Sequence, residues 1–104
     1  MLKIEDFKHL SDEGNIYLTK HARVRLKERG ISILDIVFAL KNGEIIRQYE
    51  DDKPFKSCLI FGSGVSNMLI HVVASIDEDK IYIITAYRPN TSQWDIDFKT
   101  RRKH

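Results

Sequence analysis

Between Glu44 and Arg88 the chain changes period, and that change limits the fold more than any other feature. Four runs rich in isoleucine, valine and aromatics follow one another: "EIIRQYE" (44–50), "KSCLIFG" (56–62), "NMLIHVVAS" (67–75) and "KIYIITAYR" (80–88). Side chains of these types suit a pleated, half-buried surface. The links between them, "DDKP", "SGVS" and "DEDK", are short and turn-prone. Short links join antiparallel neighbours, because a parallel crossover needs about a dozen residues or more. The expectation is a four-stranded antiparallel meander.

The residues before Glu44 read as helices. Ile4, Phe7 and Leu10 recur at three-residue steps, which predicts a short N-terminal helix ending near Gly14. "NIYLT" is a brief extended piece. Thr19 is placed to cap a helix over 20–29, and Gly30 with Ile31 to stop it. Ser32 and Asp35 have capping-box spacing and open a second helix, "ILDIVFALK", which Asn42-Gly43 ends. That helix is apolar nearly all round, so burial is expected. Helices followed by a sheet make an α+β two-layer fold. The whole chain, 1–104, reads as a single domain, with 1–14 as its N-terminal helix and 90–104 as a basic C-terminal tail. Trp94, Ile96 and Phe98 are expected to dock that tail before its end frays.

Charge is unevenly spread. Residues 19–30 hold five bases, Lys20, Arg23, Arg25, Lys27 and Arg29, against Glu28 alone. Residues 97–104 hold Lys99, Arg101, Arg102 and Lys103 against Asp97. The middle, 31–96, has nine acids and six bases. Two basic ends around an acidic middle point to a local anion-binding surface, or to nothing more than solubility and dipole matching.

Several chemistries find no support. Cys58 stands alone, so there is no internal disulfide and no cysteine pair for zinc; a reducing, cytoplasmic setting is expected. On a strand with no basic neighbour in sequence, its thiol should be buried and inert. The histidines, at 9, 21, 71 and 104, lack metal-ligand spacing. "GSG" at 62–64 is a turn without a following helix, not a phosphate loop. The acids fall mostly in turns, which gives no catalytic carboxylate pair. No apolar run approaches about 18 residues, and the N-terminus does not read as a secretion signal, so no membrane association is expected. No strand shows the paired aromatics of an RNA-stacking sheet.

What remains is a basic helix and two strand positions. His21, Arg25, Glu28 and Arg29 share one helix face, while Ala22 and Leu26 turn toward the core. At such a border a histidine can titrate near neutral pH and an arginine can fork onto a phosphate. Lys20 and His21 also lie by the free N–H groups of the first turn. The same pattern reads equally as a capping or packed histidine among solvated arginines. His71 alternates with Leu69 and Val73 in "LIHVV", and is either a satisfied strand residue or a group facing His21. Tyr87 and Arg88 end the last run. Strict alternation puts Tyr87 with Thr85 and Ile83, and Arg88 with Ala86 and Ile84, so one site can use both only across a twist or bulge.

With "LTKHARVRLKERGIS", "GEIIRQY", "IHVVAS" and "IYIITAYRP…W…F…RR" in view, the chain resembles the DUF4258 family from Leu18 to Arg102. The pattern H-A-x-x-R at His21, Ala22 and Arg25, then Arg29-Gly30-Ile31, carries most of it; Thr85, Tyr87 and Trp94 add to it. Members are often small bacterial or archaeal proteins encoded beside a YgiT-type zinc-finger antitoxin. Their order of elements is similar to that of RelE-like and BrnT-like toxins, which cleave messenger RNA without metal. The resemblance therefore implies a RelE-like two-layer fold and a cofactor-free, metal-independent endoribonuclease toxin, paired with a cognate antitoxin. In that chemistry His21 would be the base and His71 or Tyr87 the acid. Arg25 and Arg88 would hold the scissile phosphate, and Lys20, Arg23, Arg29, Lys99, Arg101 and Arg102 the flanking RNA. The alternative is a non-catalytic RNA- or protein-binding module on the same fold.

Overall fold

The computed structural model describes residues 1–102; Lys103 and His104, the end of the basic tail, lie outside the described residues. Helix α1 (Ile4–Asp12) leads through β1 (Ile16–Leu18) to α2 (Lys20–Arg29) and α3 (Ile33–Asn42). Strands β2 (Glu44–Tyr49), β3 (Ser57–Ser63), β4 (Leu69–Asp77) and β5 (Lys80–Tyr87) follow. The fold is α+β, as expected. The sheet, however, has five strands in the order β1-β5-β4-β3-β2, and it is mixed rather than wholly antiparallel. The extra strand is "NIYLT": Ile16, Tyr17 and Leu18 pair in parallel with Ile81, Tyr82 and Ile83. Three residues are too few to display a period, and their partner lies at the far end of the sequence.

The helix boundaries follow local chemistry. Thr19 Oγ1 accepts the Ala22 N–H at 3.0 Å and starts α2. Gly30, at φ 67°, ends it, with Ile31 N–H bonding back to Leu26 C=O at 3.0 Å in a Schellman stop. The Ser32–Asp35 capping box is formed. Asp35, only 4% exposed, accepts in addition the Val65 N–H at 2.8 Å and so ties α3 to the β3–β4 turn. Burial pushes the Asp35 pKa up; the N–H groups of Ser32 and Val65, the Ser32 hydroxyl and the Arg88 charge outweigh it, and the carboxyl stays below its usual range. Gly64 is required beside it, because a Cβ there would lie 2.6 Å from Asp35 Oδ1.

The helices cover one face of the sheet. Phe7 and Leu10 from α1, Leu26 from α2, and Ile36, Ala39 and Leu40 from α3 pack with Ile60, Ile70, Val72, Ile81, Ile83 and Ala86. Burying each large aliphatic side chain in such a core is worth about 1.5–3 kcal/mol. Cys58 sits in this core, and burial pushes its thiol up to about 12. Helix α3 is not buried all round: Ile33, Leu34 and Phe38 are about half exposed on its outer side.

The opposite face carries Leu59, Phe61, His71, Val73, Tyr82, Thr85 and Tyr87. Alternation along β5 is broken by a bulge, since Thr85 pairs with Val73 and Ile83 with Ala74, leaving Ile84 unpaired. This corrects the expected facing: Ile83 belongs to the helix-side core, while Ile84 turns to the open face with Thr85 and Tyr87. The C-terminal segment does not simply fray. Residues 90–102 form a strap over one end of the open face, held by Trp94 and Phe98 and closed by an Arg102 N–H to Gln93 C=O bond at 2.8 Å. Ile96 does not dock; it is 84% exposed.

Candidate functional site

A second, smaller core forms where the strap meets the sheet. His71 has no solvent exposure. The Trp94 ring stands edge-on to it at 4.6 Å, and Phe61 at 5.6 Å. Its Nε2 lies 2.7 Å from the Phe98 carbonyl. A carbonyl only accepts, so Nε2 carries the proton and Nδ1 is left as an acceptor for the Tyr87 hydroxyl at 3.3 Å. Burial lowers the His71 pKa, and the Phe98 bond offsets only part of this, so the imidazole is neutral at pH 7. Phe98 adopts left-handed backbone at φ 58° in presenting that carbonyl.

Tyr87 is partly buried and, unlike His71, keeps some contact with solvent. Burial raises its pKa, as does Tyr49 nearby, against the pull of the Arg101 and Arg29 charges. The phenol is therefore a neutral proton donor with two guanidiniums close enough to feel. Arg29 is fixed at the end of β5: Nη1 donates to Thr85 Oγ1 at 3.1 Å and to the Ala86 carbonyl at 2.8 Å. Past Ile83 this edge of β5 no longer has β1 beside it, and α2 takes its place. Arg101 and Arg47 lie over the Trp94 ring at 5.7 and 5.8 Å.

The structure brings together His71, Tyr87, Arg29 and Arg101. It does not join His21, Arg25 or Arg88 to them. Arg25 pairs with Glu28 at 3.1 Å. His21 is exposed, and its ring makes no hydrogen bond or ion pair among the described residues. Two helical turns, about 12 Å of rise, separate it from Arg29. Arg88 falls on the other face of β5, where its charge acts on Asp35; the bulge at Ile84 is three residues too early to unite it with Tyr87. Lys99 is paired with Glu44 at 2.9 Å. Arg102 holds the strap through the Thr91 and Trp94 carbonyls. Lys20 and Arg23 are exposed in the first turn of α2, which carries no acid. Cations there oppose the helix dipole, so they do not serve helix stability.

Sequence reasoning missed the strap's grip on His71, the part played by Tyr49 and Arg47, and the position of Arg29 as the guanidinium at the strand end. The four-residue spacing of His21, Arg25 and Arg29 held the last signal, but not which of the three would reach β5.

Among the described residues no group of three His, Cys, Asp or Glu side chains could hold a metal ion, and no helix is long and apolar enough to cross a membrane. The family model described as a domain of unknown function, DUF4258, matches residues 18–88, and the chain belongs to that family. The strap lies beyond the matched residues. No curated protein and no solved structure matches the chain.

Proposed function

We propose that this DUF4258 protein is a metal-independent endoribonuclease whose working centre is the Tyr87 hydroxyl. The observation that carries the reading is the set Tyr87, His71, Arg29 and Arg101 at the end of β5. Cleavage by 2′-OH attack needs a proton for the leaving 5′ oxygen and positive charge for the phosphorane-like transition state. A neutral tyrosine suits the first once its O–H turns from His71 Nδ1 to the leaving oxygen, the phenolate then regaining a proton from water, and Arg29 and Arg101 suit the second. His71, buried and neutral, orients the phenol and does not touch RNA. Among the described residues the base beside Tyr87 is His71 Nδ1, which is buried and already taken up by the phenol, so the 2′-OH proton goes to solvent hydroxide, and His21, Arg25, Lys20 and Arg23 serve as phosphate contacts along α2. General-acid catalysis is worth about 10²–10⁴-fold.

By the resemblance to RelE-like and BrnT-like toxins, the protein would be a cytoplasmic toxin of a bacterial or archaeal toxin–antitoxin pair, held inactive by a cognate antitoxin such as a YgiT-type zinc-finger protein. This step rests on likeness of layout. The test is incubation of the purified protein with end-labelled RNA in EDTA. The expected product ends in a 2′,3′-cyclic phosphate, and Tyr87→Phe loses at least a hundredfold in rate while remaining folded. Strict dependence on added metal, or full activity in Tyr87→Phe, refutes the mechanism.

A second reading, a non-catalytic RNA-binding module, is favoured by one observation: both ring nitrogens of His71 are already engaged. It predicts salt-sensitive RNA binding and no cleaved product.

A further inference from the structure

The parallel pairing of β1 with β5 creates something the sequence does not display. Tyr17 and Tyr82 are register partners on adjacent strands. Their neighbours Ile16, Leu18, Ile81 and Ile83 pack toward the helices, so both rings rise on the open face, the face of Tyr87. The ring centroids are 5.8 Å apart, tilted by 30°. Tyr17 is 45% exposed, and Lys80 Nζ lies 5.7 Å from its ring. Beside the pair the β2–β3 loop arches over the sheet and leaves a cavity of about 390 Å³. Its walls include Tyr82, Phe55, Ile84, Ser75, Lys53 and Thr19. Ser75 is 3% exposed and brings a hydroxyl to an otherwise largely apolar wall, while Phe55 and Ile84 remain open to solvent.

We propose that the Tyr17–Tyr82 pair and the cavity under Phe55 form a base-binding subsite for single-stranded RNA; this rests on the reading of the protein as RNA-handling. The chemistry is that of a stacking platform. Aromatic faces accept any base, and cations track the backbone. Lys53 lines the cavity and Lys80 lies over Tyr17, and the acid in the cavity wall, Asp52, is engaged by the Ser57 hydroxyl. The volume falls in the range of small-ligand pockets, about 300–1,000 Å³. Position fits as well. Ser75 opposite Tyr82 is four residues along β4 from His71 opposite Tyr87. At about 3.3 Å per residue this is about 13 Å along one face. A strand whose scissile phosphate sits by Tyr87 would lay a nearby base on the platform.

The test measures binding, not cleavage. Fluorescence anisotropy would compare a labelled single-stranded RNA octamer with an abasic octamer of equal charge, in EDTA at low salt. Phe55→Ser removes one ring from a loop. Tyr82→Leu keeps the apolar bulk and removes the π face. Wild type should prefer the RNA over the abasic chain, and the double variant should lose about tenfold or more of RNA affinity with abasic binding unchanged. Equal binding of both probes by wild type, or RNA binding unaltered in the variants, overturns the subsite and leaves the RNA-handling reading in place. Failure of wild type to bind either probe overturns both. A variant that weakens both probes alike assigns the loss to the fold and not to a base, and also counts against the subsite.

Discussion

Removing the Trp94 side chain tests whether the strap is what keeps His71 buried and neutral. The ring is 1% exposed, edge-on to His71, with Arg47 and Arg101 over it. If the surroundings stayed in place, Trp94→Ala would cost about 3–5 kcal/mol for the lost burial and cavity. The two guanidiniums would add about 0.5–1 kcal/mol each. The strap, however, holds to the body chiefly through Trp94, Phe98 and the Lys99–Glu44 pair, so it can let go instead. The loss of global stability then stops at the strap's own docking free energy, and the fall should be well short of that sum. Detachment also frees Nε2 from the Phe98 carbonyl and admits water to the imidazole. The His71 pKa should rise toward its ordinary value of about 6.5. Urea unfolding gives the first quantity, and an NMR titration of the imidazole gives the second. Trp94→Phe should be milder, because Nε1 of Trp94 is buried without a partner and its removal recovers part of the cost. If Trp94→Ala is destabilised by the full amount and His71 titrates as in wild type, the sheet alone buries the histidine and the reasoning about the strap is wrong.

Two further outcomes are expected. Because the folded imidazole of His71 resists protonation and the unfolded one does not, the unfolded chain binds more protons just below pH 6.5. Stability should therefore be full above about pH 6.5 and decline as pH falls through it, with Asp35 and Asp97 adding a second decline below their ordinary value of 3.8; a flat urea midpoint from pH 7 to 5 would contradict this. Asp35→Ala removes the α3 cap and the bond to Val65, and should cost about 2–4 kcal/mol in chemical denaturation, with a change under 1 kcal/mol arguing against the tie between α3 and the β3–β4 turn.

The parts legible in the sequence were those governed by neighbours in the chain. Thr19, Gly30 and the Ser32–Asp35 pair set their helix ends through bonds spanning three to five residues, and the four long strands announce themselves by composition. The parts that were not legible depend on distant partners. Strand β1 exists because β5 offers an edge. Ile33, Leu34 and Phe38 looked like core because an apolar run does not reveal which layers are present to cover it. The candidate site shows the same division: the basic face of α2 was visible, but which residue meets Tyr87 depends on where α2 crosses β5. Arg29 reaches Thr85 and the Ala86 carbonyl, close enough for its charge to act on Tyr87, while Arg25 pairs with Glu28.

The bulge at Ile84 connects the two halves of the functional proposal. Five positions separate Tyr82 from Tyr87, an odd number, and in a regular strand they would face opposite ways. In such a strand a Tyr82 on the open face would send Tyr87 into the helix core and bring Ala86 out beneath the strap. The extra residue restores the phase, so that Tyr82, Ile84, Thr85 and Tyr87 all reach the open face while Ile81, Ile83 and Ala86 stay in the core. An unpaired residue weakens the ladder locally, but it keeps Ala86 rather than Tyr87 in the helix-side core. On the other side it sets an aromatic platform and a hydrogen-bonded tyrosine on one continuous surface, with Arg29 closing the edge between them.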